Sequence, residues 1–379
     1  EGATATFSVV ASGTAPLTYQ WKKNGTAISG ATSASYTTPA TTLADNGASF
    51  TVTVSNSAGT VTSNAATLTV HPNPTITSFT ATPSVITAGG SSTLAFVFSG
   101  GTGTITPGVG TVTSGTQVTV NPPLTTTYTL TVDNGHGTTT SATATVTVAP
   151  VPTTPVITVP STVTTGKTGL TASVASPQAG MTYSWLATNA TITSATTGTS
   201  IQFTAGSVGT STLTCTATNA AGATASATAT LTVVAAPTAA LSASTTNPLR
   251  GATVTLTPTF TGGTGSIAPG IGSVTSGTNY TTPAVTAPIT YTLTVTNAAN
   301  DTATAQVTLT PQTVSVSVSP ASPVVTAGNT VTFTATVTGA VDTSVTWSAT
   351  GGTFAGNVWT SPGTPGSYTV TATSVSDPS

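Results

Sequence analysis

Five times along this chain a residue opens a strict alternation: Phe50-x-Val52-x-Val54, Tyr128-x-Leu130-x-Val132, Leu213-x-Cys215-x-Ala217, Tyr291-x-Leu293-x-Val295 and Tyr368-x-Val370-x-Ala372. Apolar residues at every second position put one face of an extended chain into a core and leave the other in water. Each column therefore predicts a half-buried β-strand. The columns stand 78, 85, 78 and 77 residues apart, the spacing of small repeated domains. The first three run into an Asn-containing turn ("SNSAG", "DNGHG", "TNAAG"), and each of the first four is followed by a second alternating run such as "SATATVTV" or "SATATLTV". Strand, Asn/Gly turn and strand predict a β-hairpin.

Between the columns lie the proline-bearing junctions "VHPNPTIT", "VAPVPTTPVIT", "VVAAPTAAL" and "LTPQTVSV". Proline fixes φ and lacks an N–H, so these connections are expected to be stiff. No stretch has a helical period, and the residues around Leu43 suit a single helical turn at most. The fold class expected is all-β, a row of five β-sandwich domains over residues 1–71, 72–150, 151–236, 237–311 and 312–379. The repeats also pair. Phe50 to Leu213 and Tyr128 to Tyr291 are both 163 residues, and domains one and three share a Trp in "LTYQW" (Trp21) and "MTYSW" (Trp185). Domains two and four share a glycine-rich opening, "SGGTGTITPGVGTVTSGT" from Ser99 and "TGGTGSIAPGIGSVTSGT" from Thr261. An ancestral two-domain unit, duplicated, accounts for this pattern. The fifth domain is of a third type. Domain one reaches Phe7 after six residues, whereas domain three has "PVITVPSTVTTGKTG" before Leu170. Domain five stops at "SVSDPS", where the others begin a turn and a final strand. The first domain is therefore expected to lack its N-terminal strand and the last its C-terminal strand.

Composition narrows function. Of 379 residues only 4 are Lys or Arg and 6 are Asp or Glu, for a formal net charge of −2. No basic patch exists to neutralise phosphates, which argues against nucleic acid as a partner. No run of 18 apolar residues is present, so no membrane-inserted helix is expected. The glycine-rich stretches lack the lysine and the following helix of a phosphate-binding loop. Their glycines, with Pro107-Gly108 and Pro269-Gly270, read as turns. The two histidines, His71 at a junction and His136 in the "DNGHG" turn, do not form a hydrolytic constellation with Ser and an acid. The acids Glu1, Asp45, Asp133, Asp301, Asp342 and Asp377 are scattered at about one per domain, with none in domain three. That spacing predicts neither a glycosidase pair nor a calcium cage. No catalytic, cofactor or metal residue is assigned. Lys22 and Lys23 are expected to be exposed, and Lys167 lies in a domain without an acid, so no Lys–Asn cross-link is predicted. The sequons at Asn24, Asn189, Asn279 and Asn300 are expected by chance in so Thr-rich a chain. Trp21, Trp185 and Trp347 fit core positions; Trp359 in "NVWTSP" is read as core or edge packing, with a sugar platform as the competing reading.

The first domain resembles the immunoglobulin-like repeats of bacterial secreted and surface proteins. Trp21 sits where the second core strand of that family carries its Trp, and "LADNGASFTVTVSNSAG" resembles the Asp-x-Gly-x-x-Tyr-x-Cys approach to the column strand. Phe50 replaces the Tyr and Val52 the second Cys, so the resemblance implies apolar packing in place of the inter-sheet disulfide. Cys215 occupies the matching position in domain three without a partner and reads as a small buried hydrophobe. The fifth domain resembles the Ig-like modules of adhesins. What the resemblance implies is a non-enzymatic extracellular rod on the bacterial surface, a fibre, sheath or adhesin stalk. The scarcity of charge to guard sheet edges adds self-association into an oligomer or filament, with cell-surface or glycan contacts. Two alternatives stand beside it: spacer or polysaccharide-binding domains of a larger secreted enzyme, or a phage or virion decoration protein.

Overall fold

The computed structural model describes residues 1–378. The chain gathers into two compact units. One holds residues 1–154 with 178–182 and 217–225; the other holds 155–177, 183–216 and the described residues from 226 on.

In the first unit, the column strand Ser49–Asn56 pairs antiparallel with Thr18–Lys23 on one side and with Gly59–Thr62 and Ala66–Thr67 on the other. This register sets Trp21 across from Val52. The facing sheet is the pair Thr6–Ser8 and Ser35–Thr37. Between the sheets Trp21, Phe50 and Val52 are buried, and Phe7 stacks on Phe50 at a centroid distance of 4.4 Å. The indole N–H of Trp21 donates to the Ser33 carbonyl at 3.0 Å, which lets a ring with a polar edge stay buried. Leu43–Asp45 forms the single helical turn.

The next sandwich joins a three-stranded sheet (Thr75–Thr82, Ser92–Ser99, Gln117–Val120) to a five-stranded one built on Thr126–Asp133 and Thr139–Ala149. Val85–Thr87 runs parallel to the end of the latter strand. Leu94, Phe96, Ile105, Leu130, Val132 and Val146 fill the space between the sheets. The glycine-rich stretch is a hairpin: Thr102–Thr106 pairs with Gly110–Val112, and Gly108 and Gly110 take positive φ in its turn. A Cβ on Gly100 would stand 2.5 Å from the Asn73 carbonyl, and one on Gly103 would enter the ring of Phe98. These glycines admit close backbone and ring approach.

The second unit repeats the pattern. Thr255–Thr261 lies between Thr238–Ala243 and Tyr280–Thr281. The facing sheet takes Ile289–Thr296 and Thr302–Leu309 with the second glycine-rich hairpin, Thr264–Ala268 on Gly272–Val274. Gly262 faces the Ala236 carbonyl and Gly265 the ring of Phe260, as Gly100 and Gly103 do. Before it come two four-stranded sheets. One contains Leu170–Ala175 and Ser200–Ala205; the other contains Met181–Thr188, Gly209–Asn219 and Thr224–Val234, with Thr162–Thr164 parallel to the last. Leu213, Cys215 and Ala217 are buried, and the indole of Trp185 donates to the Gly198 carbonyl at 2.9 Å, the counterpart of the Trp21 bond.

The last sheets depart from the expected column. Tyr368 lies outside the strand Val370–Ser374, and Tyr368, Val370 and Ala372 are only half-buried. The ladder with Val345–Ala349 begins at Val370, and before it the segment from Pro362 to Pro365 lies outside any strand. The core is filled instead by Phe333 and Trp359, with Trp347 stacked on Phe354 at 5.4 Å. Among the described residues, the strands number seven or eight for each sequence repeat. Paired sheets on Trp- and Leu-rich cores, tied by hairpins, make this a chain of tandem Ig-like sandwiches.

Candidate functional site

Among the described residues no three His, Cys, Asp or Glu side chains gather where they could hold a metal ion. The chemistry-bearing residues are instead spread over turns and sheet ends. Cys215 has no exposed surface, and burial pushes its thiol up to about 11. The Thr182 hydroxyl donates to the Thr218 carbonyl, as Thr18 does to Ser55. By the same register Cys215 faces Trp185 across the strands.

Lys22 and Lys23 were expected to be exposed. Both are half-buried, and Lys23 pairs with Asp45, whose carboxylate also accepts from the Thr42 N–H and hydroxyl. Together these bonds, the Lys23 ammonium foremost, hold Asp45 down at about 2. Lys167 has no acid in its own repeat, but it meets Asp301 at 2.8 Å from the next. His71 and His136 stack with ring centroids 3.5 Å apart, a contact between distant sequence positions that no local pattern indicates. Trp359 is 5 % exposed, and its indole donates to the Gly351 carbonyl at 2.9 Å. It lies in the wall of a cleft of about 810 Å³ with Phe333, Pro320, Pro323, Pro362 and Tyr368. Its burial and its bonded indole fit the packing reading.

The recurring feature lies in the turns after the columns. Asn134, Asn219 and Asn297 each accept two backbone N–H bonds of their own turn on Oδ1. Each donates from Nδ2 to a carbonyl at the preceding junction: Pro72 at 3.3 Å, Pro150 at 2.8 Å and Ala235 at 3.0 Å. Asn219 adds the hydroxyl of Thr87, and Asn297 that of Thr164. Those two threonines end equivalent strands, Val85–Thr87 and Thr162–Thr164. The sequence pattern marks Asn134 and Asn219 as turn residues, and Asn297 stands in the equivalent turn after the fourth column. Their second role needs the neighbouring repeat in place and is invisible in local pattern.

The fold and these turns define a class: tandem Ig-like sandwiches with polar, side-chain-clasped junctions. Over 77 residues the chain is 44% identical to the "Decoration protein" of Escherichia phage T5. The match covers 20% of this chain and 46% of that protein, so the chain spans about half the length of its relative. No family model matches. Among solved structures, Sidekick-1 immunoglobulin domains 1–5 align over 100% of this chain and 93% of theirs at 14% identity and a TM-score of 0.28. Titin domains I67–I69 align over 62% and 93% at 17% identity and a TM-score of 0.37. The fold assignment rests on the strand pairing above.

Proposed function

We propose that this chain is a non-enzymatic decoration protein, carrying tandem Ig-like sandwiches on the outer surface of a phage particle. The observation that carries the reading is the 44% identity over 77 residues to the T5 decoration protein. A chain with 3% charged residues suits a passive, neutral surface coat. The bacterial fibre, sheath or stalk expected from the sequence has no comparable support, and the virion reading replaces it. On this reading the partner is a capsid lattice, and self-association into a filament is not required. An antibody raised against the chain should place gold on capsids in lysates from the source, in immuno-electron microscopy. Labelling confined to cell surfaces or to free fibres would overturn the proposal.

A further inference from the structure

The network around Asn297 uses every hydrogen-bonding site of its amide. Nδ2 donates to the Thr164 hydroxyl at 2.8 Å and the Ala235 carbonyl at 3.0 Å; Oδ1 accepts from the Ala299 and Asp301 N–H groups at 2.9 and 3.0 Å. Thr164, itself 6 % exposed, accepts from Asn297 and donates to the Asp301 carboxylate. Lys167 closes the ring on Asp301 at 2.8 Å. Thr164, Lys167 and Ala235 belong to one repeat, Asn297 and Asp301 to the next. Only Ala235, Ala236 and Pro237 separate their strands. A change of angle between the two sandwiches must break bonds to a 5 % exposed amide, and water cannot replace those bonds while the site stays closed.

We infer that Asn297, Thr164, Asp301 and Lys167 form an interdomain latch that holds these two sandwiches at one angle, with the Lys167–Asp301 pair as its salt-sensitive half and the Asn297 amide as its salt-insensitive half. Two other places in the molecule support this division. Asn219 makes the same amide set with Thr87 and Pro150, but Ala223 stands where Asp301 does, so that contact is wholly neutral. The junction after residue 311 is built on an arginine instead. The Arg250 backbone bonds Gly339 and Val341, and its side chain donates to the Ser376 carbonyl at 2.9 Å and lies 3.6 Å from Asp377. The half-exposed Lys167–Asp301 pair is open to ionic screening; the buried amide is not.

The test is a distance distribution measured by double electron–electron resonance on the full chain. Spin labels go on Thr191→Cys and Thr290→Cys, both exposed positions, in a Cys215→Ala background. One narrow distribution is expected for the parent. Lys167→Met, a change at an exposed side chain, should broaden it by about half, and 1 M salt should do the same to the parent but not to the Lys167→Met variant. Thr164→Val, which spares the Asn297 turn, should broaden it about twofold with melting of both sandwiches still cooperative. A parent as broad as the variants, or widths unchanged in both Thr164→Val and Lys167→Met, would overturn the latch.

Discussion

Replacing Cys215 by Ser changes one atom at the centre of a sandwich and tests the strand assignment there. The side chain has no exposed surface, and Leu213 and Ala217 on the same face are 0 % and 1 % exposed. A hydroxyl at that point is surrounded by apolar groups, and burying one without a partner costs about 1–3 kcal/mol. For a domain of this size each kcal/mol lowers Tm by about 4–8 °C. A cost near the middle of that range therefore moves this sandwich's transition by about 8–16 °C in differential scanning calorimetry, leaving the others in place. Cys215→Val, the residue used at the matching column position Val52, should cost about 1.5 kcal/mol at most. The native thiol should also resist labelling. A group raised from 9.0 to about 11 carries about a hundredfold less thiolate at pH 8, and the remaining thiolate is reachable only when the strand opens. An unmoved transition in Cys215→Ser, or labelling in the native state as fast as in urea, would show that Cys215 does not face the core.

Trp359→Ala should destabilise the last sandwich by about 3–5 kcal/mol, seen as loss of its calorimetric transition; a change only in ligand binding with stability intact would contradict its buried placement. Gly103→Ala and Gly265→Ala each press a methyl into a phenyl ring and should cost about 1–3 kcal/mol in urea denaturation, whereas a neutral result would mean that Phe98 and Phe260 swing aside freely. Asp45, held at about 2 chiefly by Lys23, has a folded pKa below its ordinary 3.8. Its contribution to stability is therefore present above about pH 4 and lost as pH falls through 2. Hydrogen exchange of the peptide covering residues 43–56 should accelerate over that window in the parent and show no such step in Asp45→Asn.

The columns were readable because alternation is local: Phe50, Tyr128, Leu213, Tyr291 and their i+2 partners reveal their face without reference to any other strand. The turns of the glycine-rich stretches were readable for the same reason, since Pro-Gly pairs declare themselves within a few residues; that they close hairpins came from the strand pairing. The fifth column misled because alternation alone cannot register that the ladder with Val345–Ala349 begins only at Val370 and that Phe333 and Trp359 fill the core. The junction contacts lay out of reach altogether. Lys167 and Asp301 are 134 residues apart, His71 and His136 are 65 apart, and nothing in either neighbourhood specifies the other. Local pattern marks Asn134 and Asn219 as turn residues, but a turn uses only the side-chain oxygen; the amide hydrogens find acceptors only on a neighbouring repeat.

The paired Asn and Thr carry a consequence for how such a gene can grow. A repeat that ends one strand with a threonine and turns another on an asparagine brings both halves of a joint with it. The receptor faces the repeat that follows, and the donor faces the repeat that came before. Copying the repeat that carries Thr164 and Asn219 would leave each new copy with a matching half on both sides. The 163-residue echo in the sequence has the period that copying a pair of repeats would give. At the seam between copies the joint would need no compensating substitution.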